Sequence, residues 1–131
     1  MMVKEAYPLL WSPDPGRIAD WSIDVLGLDE VWRAPGADGL VEHVELEWGG
    51  CKVSINVVDD RSRGMGPFGV ALRWDDRDAV QAAHARAVEA GATLQQPLLE
   101  TRVGYGFTAL DPDGNQWWLH AETGFLDTLR G

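Results

Sequence analysis

The sequence predicts an α+β protein built from two tandem βαβββ modules. Two observations carry this. Each of two capped segments of helical period is preceded by one strand-like run and followed by three, and a polar, Gly-bearing stretch separates the two sets. All 131 residues are read as a single domain, with module one over 5–58, a linker over 59–67 and module two over 68–122.

The first strand is expected over Tyr7–Ser12. A helix follows over Pro15–Leu26, with Asp14 as N-cap, Pro15 at the first helical position and Gly27 as the C-terminal stop. Ile18, Trp21, Ser22 and Val25 share one face of it. Strands over Glu30–Ala34, Val41–Trp48 and Cys51–Val58 are divided by the turns Pro35–Gly39 and Gly49-Gly50. Asp59–Pro67 reads as the linker. A second round begins with a strand at Phe68–Trp74. Its helix, Arg77–Ala90, is capped by Asp75 or Asp76 and stopped by Gly91, and Val80, Ala83 and Ala87 form a narrow stripe suited to close packing on a sheet. Strands over Thr93–Gln96, Tyr105–Leu110 and Gln116–Glu122 complete the module, the last two joined by Asp111–Asn115. Thr123–Gly131 is expected to add a last helical turn at an edge. Aligning Leu46–Val53 with Leu110–Trp117 matches a Leu, an acid and a Gly, a faint echo that supports duplication.

Charge and composition exclude several classes of function. Eleven Lys and Arg against twenty-one Asp and Glu give a net charge of −10, the reverse of what nucleic-acid binding requires. A single cysteine, Cys51, excludes an internal disulfide framework and a cysteine metal cluster, and it is expected to be an exposed, unreactive thiol. The opening MMVKEAYPLL is no export core and no apolar run has the length of a bilayer span, so the chain is expected to be cytoplasmic, with no membrane partner. No phosphate-binding or dinucleotide glycine pattern is present, and no cofactor is expected. Seven Trp beside three Phe and two Tyr is an excess suited to ligand grooves and interfaces.

The repeated plan, with Tyr105-Gly106-Phe107, the DPDGN turn Asp111–Asn115 and a final strand, resembles the vicinal oxygen chelate superfamily. This group holds glyoxalase I, extradiol dioxygenases, fosfomycin-modifying enzymes and bleomycin-resistance proteins. Glu89-Ala90-Gly91-Ala92 and Asp24–Leu28 (DVLGL) add to the likeness, which runs from Tyr7 to Glu122. The resemblance implies a cupped mixed sheet and a homodimer. Catalytic members place four metal ligands in the cup, one on the first and one on the last strand of each half. Here those positions fall on Pro8 or Tyr7, Phe68 or Gly69, Ser54 and Trp118, none a good ligand. The usual metal site is therefore expected to be missing.

Strand alternation assigns the cup lining. Module one is expected to contribute Trp32, His43, Glu45, Glu47, Ser54 and Asn56, and module two Arg73, Tyr105, Phe107, Trp118 and His120. Trp11 stays open between rim and core, Trp21, Trp48 and Trp117 are expected in the core, and His84 on the helix surface. No nucleophile–base pair is suggested by position. The expected function is non-catalytic capture of an aromatic, cationic small molecule, similar to the bleomycin-resistance branch, with stacking from Trp and attraction from Glu45 and Glu47. A second reading is an enzyme, with a metal displaced to His43, Glu45 and His120, or with metal-free acid–base chemistry at His120 or Glu45. A third makes the cup vestigial and the protein a regulatory or scaffolding dimer.

Overall fold

The structure, a computed structural model, describes residues 2–102 and 104–124. Its contacts group into two compact units. One comprises residues up to Ile23 and Gly27–Gly66, and the other begins at Pro67 and also takes in Asp24–Leu26.

The first unit holds β1 (Leu9–Ser12), α1 (Pro15–Trp21), β2 (Asp29–Pro35), β3 (Val41–Trp48) and β4 (Cys51–Val57). The second holds β5 (Gly69–Trp74), α2 (Arg77–Glu89), β6 (Thr93–Glu100), β7 (Tyr105–Leu110) and β8 (Gln116–Ala121). Each makes a four-stranded mixed sheet of one topology, β1-β4-β3-β2 and β5-β8-β7-β6, whose first and last strands run parallel. The duplication expected from element order is the architecture observed. Among the described residues no helix is long and apolar enough to cross a membrane.

Local chemistry accounts for the helices. Asp14 caps α1 by accepting from the Arg17 N–H, and Asp76 caps α2 by accepting from the Ala79 N–H. The segment expected to finish the first helix, Ser22–Leu26, widens into a π turn closed by Gly27 at φ 72°. Val80, Ala83 and Ala87 are fully buried where α2 lies on β5, β7 and β8. His84, expected on the surface, instead sets its ring edge-on to Phe107 at 5.1 Å.

Sheet alternation divides each module into a helix-covered face and an open face. Val44, Leu46, Val53 and Ile55 are buried against α1, as Phe107, Ala109, Trp117 and Leu119 are in module two. The placement of Tyr105 and Phe107 on the cup face is therefore corrected. Phe107 pairs with Leu119 and is fully buried, while the Tyr105 hydroxyl accepts from Gln81 of α2. The reason is turn length. Leu46 pairs with Val53, but the equivalent pair, Ala109 with Trp117, stands one residue further apart along the chain. That extra residue in the Asp111–Asn115 turn reverses the facing of every β7 side chain against the simple alignment of the halves. Gly106, not Phe107, becomes the counterpart of His43.

β6 also differs from expectation. It continues beyond Gln96 to Glu100, through Pro97, which an edge strand tolerates because its N–H is not needed by a neighbour. A register shift between Leu94 and Gln96 marks a bulge in it. The linker carries a short 3-10 turn, Asp60–Ser62. Of the expected C-terminal turn, residues 125–131 lie outside the described residues.

Candidate functional site

The open face of module one gathers five of its expected residues into one network. Trp32 stacks on His43 with centroids 4.7 Å apart. The His43 Nδ1–H donates to Asn56 Oδ1, and Nε2 lies 3.3 Å from Ser54 Oγ. Glu45 stands 3.8 Å from the same nitrogen. Ser54, His43 and Asn56 thus have the order of nucleophile, base and orienting group, a pairing that sequence position did not suggest. Ser54 is 0% exposed, however, beneath the side chains of this network.

Lys52 was missed, although the period of two puts it with Ser54 and Asn56. Its ammonium lies 3.1 Å from Glu45 and 3.2 Å from Glu5. Both carboxylates raise its pKa, the Glu45 contact first. The charge expected to draw a cation to Glu45 is already met within the chain. Glu47 is exposed at the end of this face, opposite Lys52 in register. Trp11 belongs to the open face too, since it pairs with Asn56, and Arg61 lies over its ring at 5.0 Å. Of the Trp residues expected in the core, Trp117 is fully buried, while Trp21 and Trp48 are half-buried. Cys51 is exposed.

Module two carries a Trp–His stack as well, here within the single strand β8. Trp118 lies flat on His120, centroids 3.7 Å apart and planes 5° from parallel. His120 occupies the position equivalent to Asn56, and Gly106 vacates the place of His43 opposite it. A Cβ on Gly106 would stand 2.7 Å from the His120 Cβ, so the glycine is what lets β7 pass beneath this ring. Arg73 pairs with His120 in register, and its guanidinium bonds Glu122 at 3.0 Å.

Two hollows meet at Trp118. One of about 390 Å³ is lined by Gly69, Ala71, Gln96, Thr108, Gln116 and Trp118, with Gln95 beside them. The other, about 300 Å³, is lined by Gln96, Leu99, Thr101, Gly104, Gly106 and Trp118. Gln116, Ala71 and Thr108 follow from Trp118 by alternation and pairing. The paired glutamines of β6 do not, because the bulge brings consecutive residues to one hollow.

His120 is 2% exposed, and its Nδ1 has no hydrogen-bond partner among the described residues. Its pKa is lowered from 6.5, first by burial and then by the Arg73 charge, with Glu122 opposing. From β7 only uncharged Gly106 faces it. The unfolded chain therefore takes up a proton before the folded one. This stabilising contribution is full above about pH 6.5 and is lost as pH falls toward the lower folded value, with a slope of at most about 1.4 kcal/mol per pH unit. Urea midpoints measured between pH 7.5 and 5 should fall in the native protein and fall less in His120→Phe. Equal slopes would mean that His120 titrates alike in both states.

Among the described residues no three of His, Cys, Asp and Glu come together to hold a metal ion. Across the parallel pairs, Ser54 faces Leu9 and Trp118 faces Ala71. This donor set does not fit the divalent site of the metal-dependent enzymes that the chain resembles.

Residues 6–119 match the sequence profile of the Glyoxalase/Bleomycin resistance protein/Dioxygenase superfamily. The uncharacterized protein Mb0911c of Mycobacterium bovis is 32% identical over 126 residues, spanning 86% of this chain and 79% of its own. TioX from Micromonospora sp. ML1 has a similar structure, with a TM-score of 0.73 at 25% identity over 92% of this chain and 97% of its own. TnmS3, an antibiotic binding protein from Streptomyces sp. CB03234, gives 0.67 at 25% identity over 94% and 100%.

Proposed function

Because the chain belongs to the Glyoxalase/Bleomycin resistance protein/Dioxygenase superfamily, we propose that it captures an aromatic small molecule on module two and does not transform it. The observation that carries this reading is the Trp118 indole, braced from one side by His120 and bordered by two hollows with Gly and Ala in their walls. A flat ring laid on an indole gains roughly 0.5–1.5 kcal/mol beyond its buried area. The small residues of β5 leave room for it. Likeness to TnmS3 supports an antibiotic or related metabolite as the guest. The buried Ser54 and the poor metal donor set both favour binding over turnover.

The test is a panel of planar aromatic antibiotics titrated into metal-free protein, followed by Trp fluorescence and by recovery of the compound. The expected result is stoichiometric binding, the compound recovered unchanged, no effect of a chelator, and about tenfold weaker binding by Trp118→Ala. Product formation, or full affinity in Trp118→Ala, would overturn the proposal.

A further inference from the structure

The larger hollow beside Trp118 mixes apolar walls with uncharged polar side chains, and among the described residues no charged one lines it. Gln95, Gln96, Gln116 and Thr108 line it, with Gly69, Val70 and Ala71 as the low wall on β5. Each amide offers both a donor and an acceptor. Three of them around one indole match a guest that also carries both on its edge. Their arrangement is built in rather than incidental. The bulge between Leu94 and Gln96 turns two consecutive β6 residues to the same hollow, and Pro97 holds Gln96 extended.

The charges nearby give a cation no partner there. Among the described residues no carboxylate lines either hollow. Arg73, next to the Trp118–His120 stack, is positive and engaged by Glu122. The imidazole behind the indole is held toward its neutral form by burial and by Arg73. The protein's overall charge of −10 is therefore not concentrated at this site.

We propose that the guest of the Trp118 hollow is an uncharged planar ring with hydrogen-bond donor and acceptor side by side on its edge, of the lactam or imide type, held by stacking on Trp118 and by amide contacts from Gln96 and Gln116. This rests on the reading that module two binds a small molecule, and it replaces charge attraction with edge recognition as the source of selectivity. A bound ring lacking the paired donor and acceptor leaves those amides facing an apolar edge, which costs affinity.

Three probes of one ring size separate the possibilities: 1-isoquinolinone, which has the lactam edge; 1-methoxyisoquinoline, which has lost the donor; and N-methylisoquinolinium, which is a cation. Each is titrated into the native protein, Gln96→Leu and Gln116→Leu, reading the indole N–H resonance of Trp118 by NMR. Both glutamines are exposed, so the variants keep the core intact. The lactam is expected to bind native protein about tenfold tighter than either other probe, and each Leu variant should remove most of that preference. Binding of the cation as tight as the lactam, or a lactam preference untouched in both variants, overturns the inference. If all three move Trp118 with equal affinity, this inference fails and the capture reading stands. If none moves it, both fail.

Discussion

Asp111→Ala is expected to lower the stability of the protein by about 3 kcal/mol, the upper end of the cost of removing a buried charged acceptor and leaving its donors unsatisfied. Asp111 is buried with its carboxylate ringed by donors. Oδ1 accepts from the Asp113 N–H and Asn115 N–H at 2.9 Å, and Oδ2 accepts from Asn115 Nδ2 at 2.9 Å and from the Trp117 indole N–H at 3.0 Å. Asn115 Oδ1 then accepts from the Phe68 N–H at 2.7 Å, tying the turn to the start of β5. Alanine would leave the indole N–H of fully buried Trp117 without this partner and loosen the turn that sets the β7–β8 register. Asp111→Asn keeps the shape and should lose less. Urea unfolding followed by Trp fluorescence measures both, and a loss under about 1 kcal/mol for Asp111→Ala would mean that the turn holds without its carboxylate.

Gly106→Ala is expected to be the other large loss, about 3 kcal/mol, at the upper end of the cost of overpacking. The new methyl would meet His120 Cβ at 2.7 Å and Cα at 2.8 Å, as well as the Leu119 carbonyl oxygen across the strand pair. Backbone atoms cannot turn aside as a side chain end does, so β7 and β8 must separate locally. The damage should reach the site, since His120 braces Trp118. Loss of the Trp118–His120 stack, seen as a shift of the Trp118 indole resonance, should accompany the fall in urea midpoint. An unchanged midpoint would show that the strands yield at no cost.

The DPDGN turn was legible as a family mark and as a turn, but its physical work was not. A run of residues tolerant of unusual φ announces a reversal of the chain. It does not announce that the first Asp is a buried acceptor for a Trp two strand positions past the turn. The same turn misled the assignment of Tyr105 and Phe107, because period two states that neighbours face oppositely without stating which face is covered. On β3 and β4 the choice was visible: Val44, Leu46, Val53 and Ile55 contrast with His43, Glu45, Ser54 and Asn56. On β7 the run Tyr-Gly-Phe-Thr-Ala-Leu offers no such contrast, and the aromatic residues went to the wrong side.

Site residues divide along the same line. That Trp118 and His120 lie together was legible because they share a strand and a face, and their stack follows from i, i+2 spacing. Gln95 and Gln96 lie within the strand expected over Thr93–Gln96 and were still missed, because a bulge between Leu94 and Gln96 breaks its alternation. Lys52 was within reach of alternation and was passed over, and with it the neutralisation of Glu45.

By itself the sequence determined the βαβββ duplication, the two capped helices, the family likeness and the small apolar stripe of α2. All of these rest on local spacing or on chemistry confined to a few consecutive residues. Only the tertiary structure decided which β7 side chains the helix covers, which charges cancel, and which glutamines line the hollow beside Trp118. Those depend on register between strands distant in sequence, where one added turn residue or one bulge reverses or doubles a face.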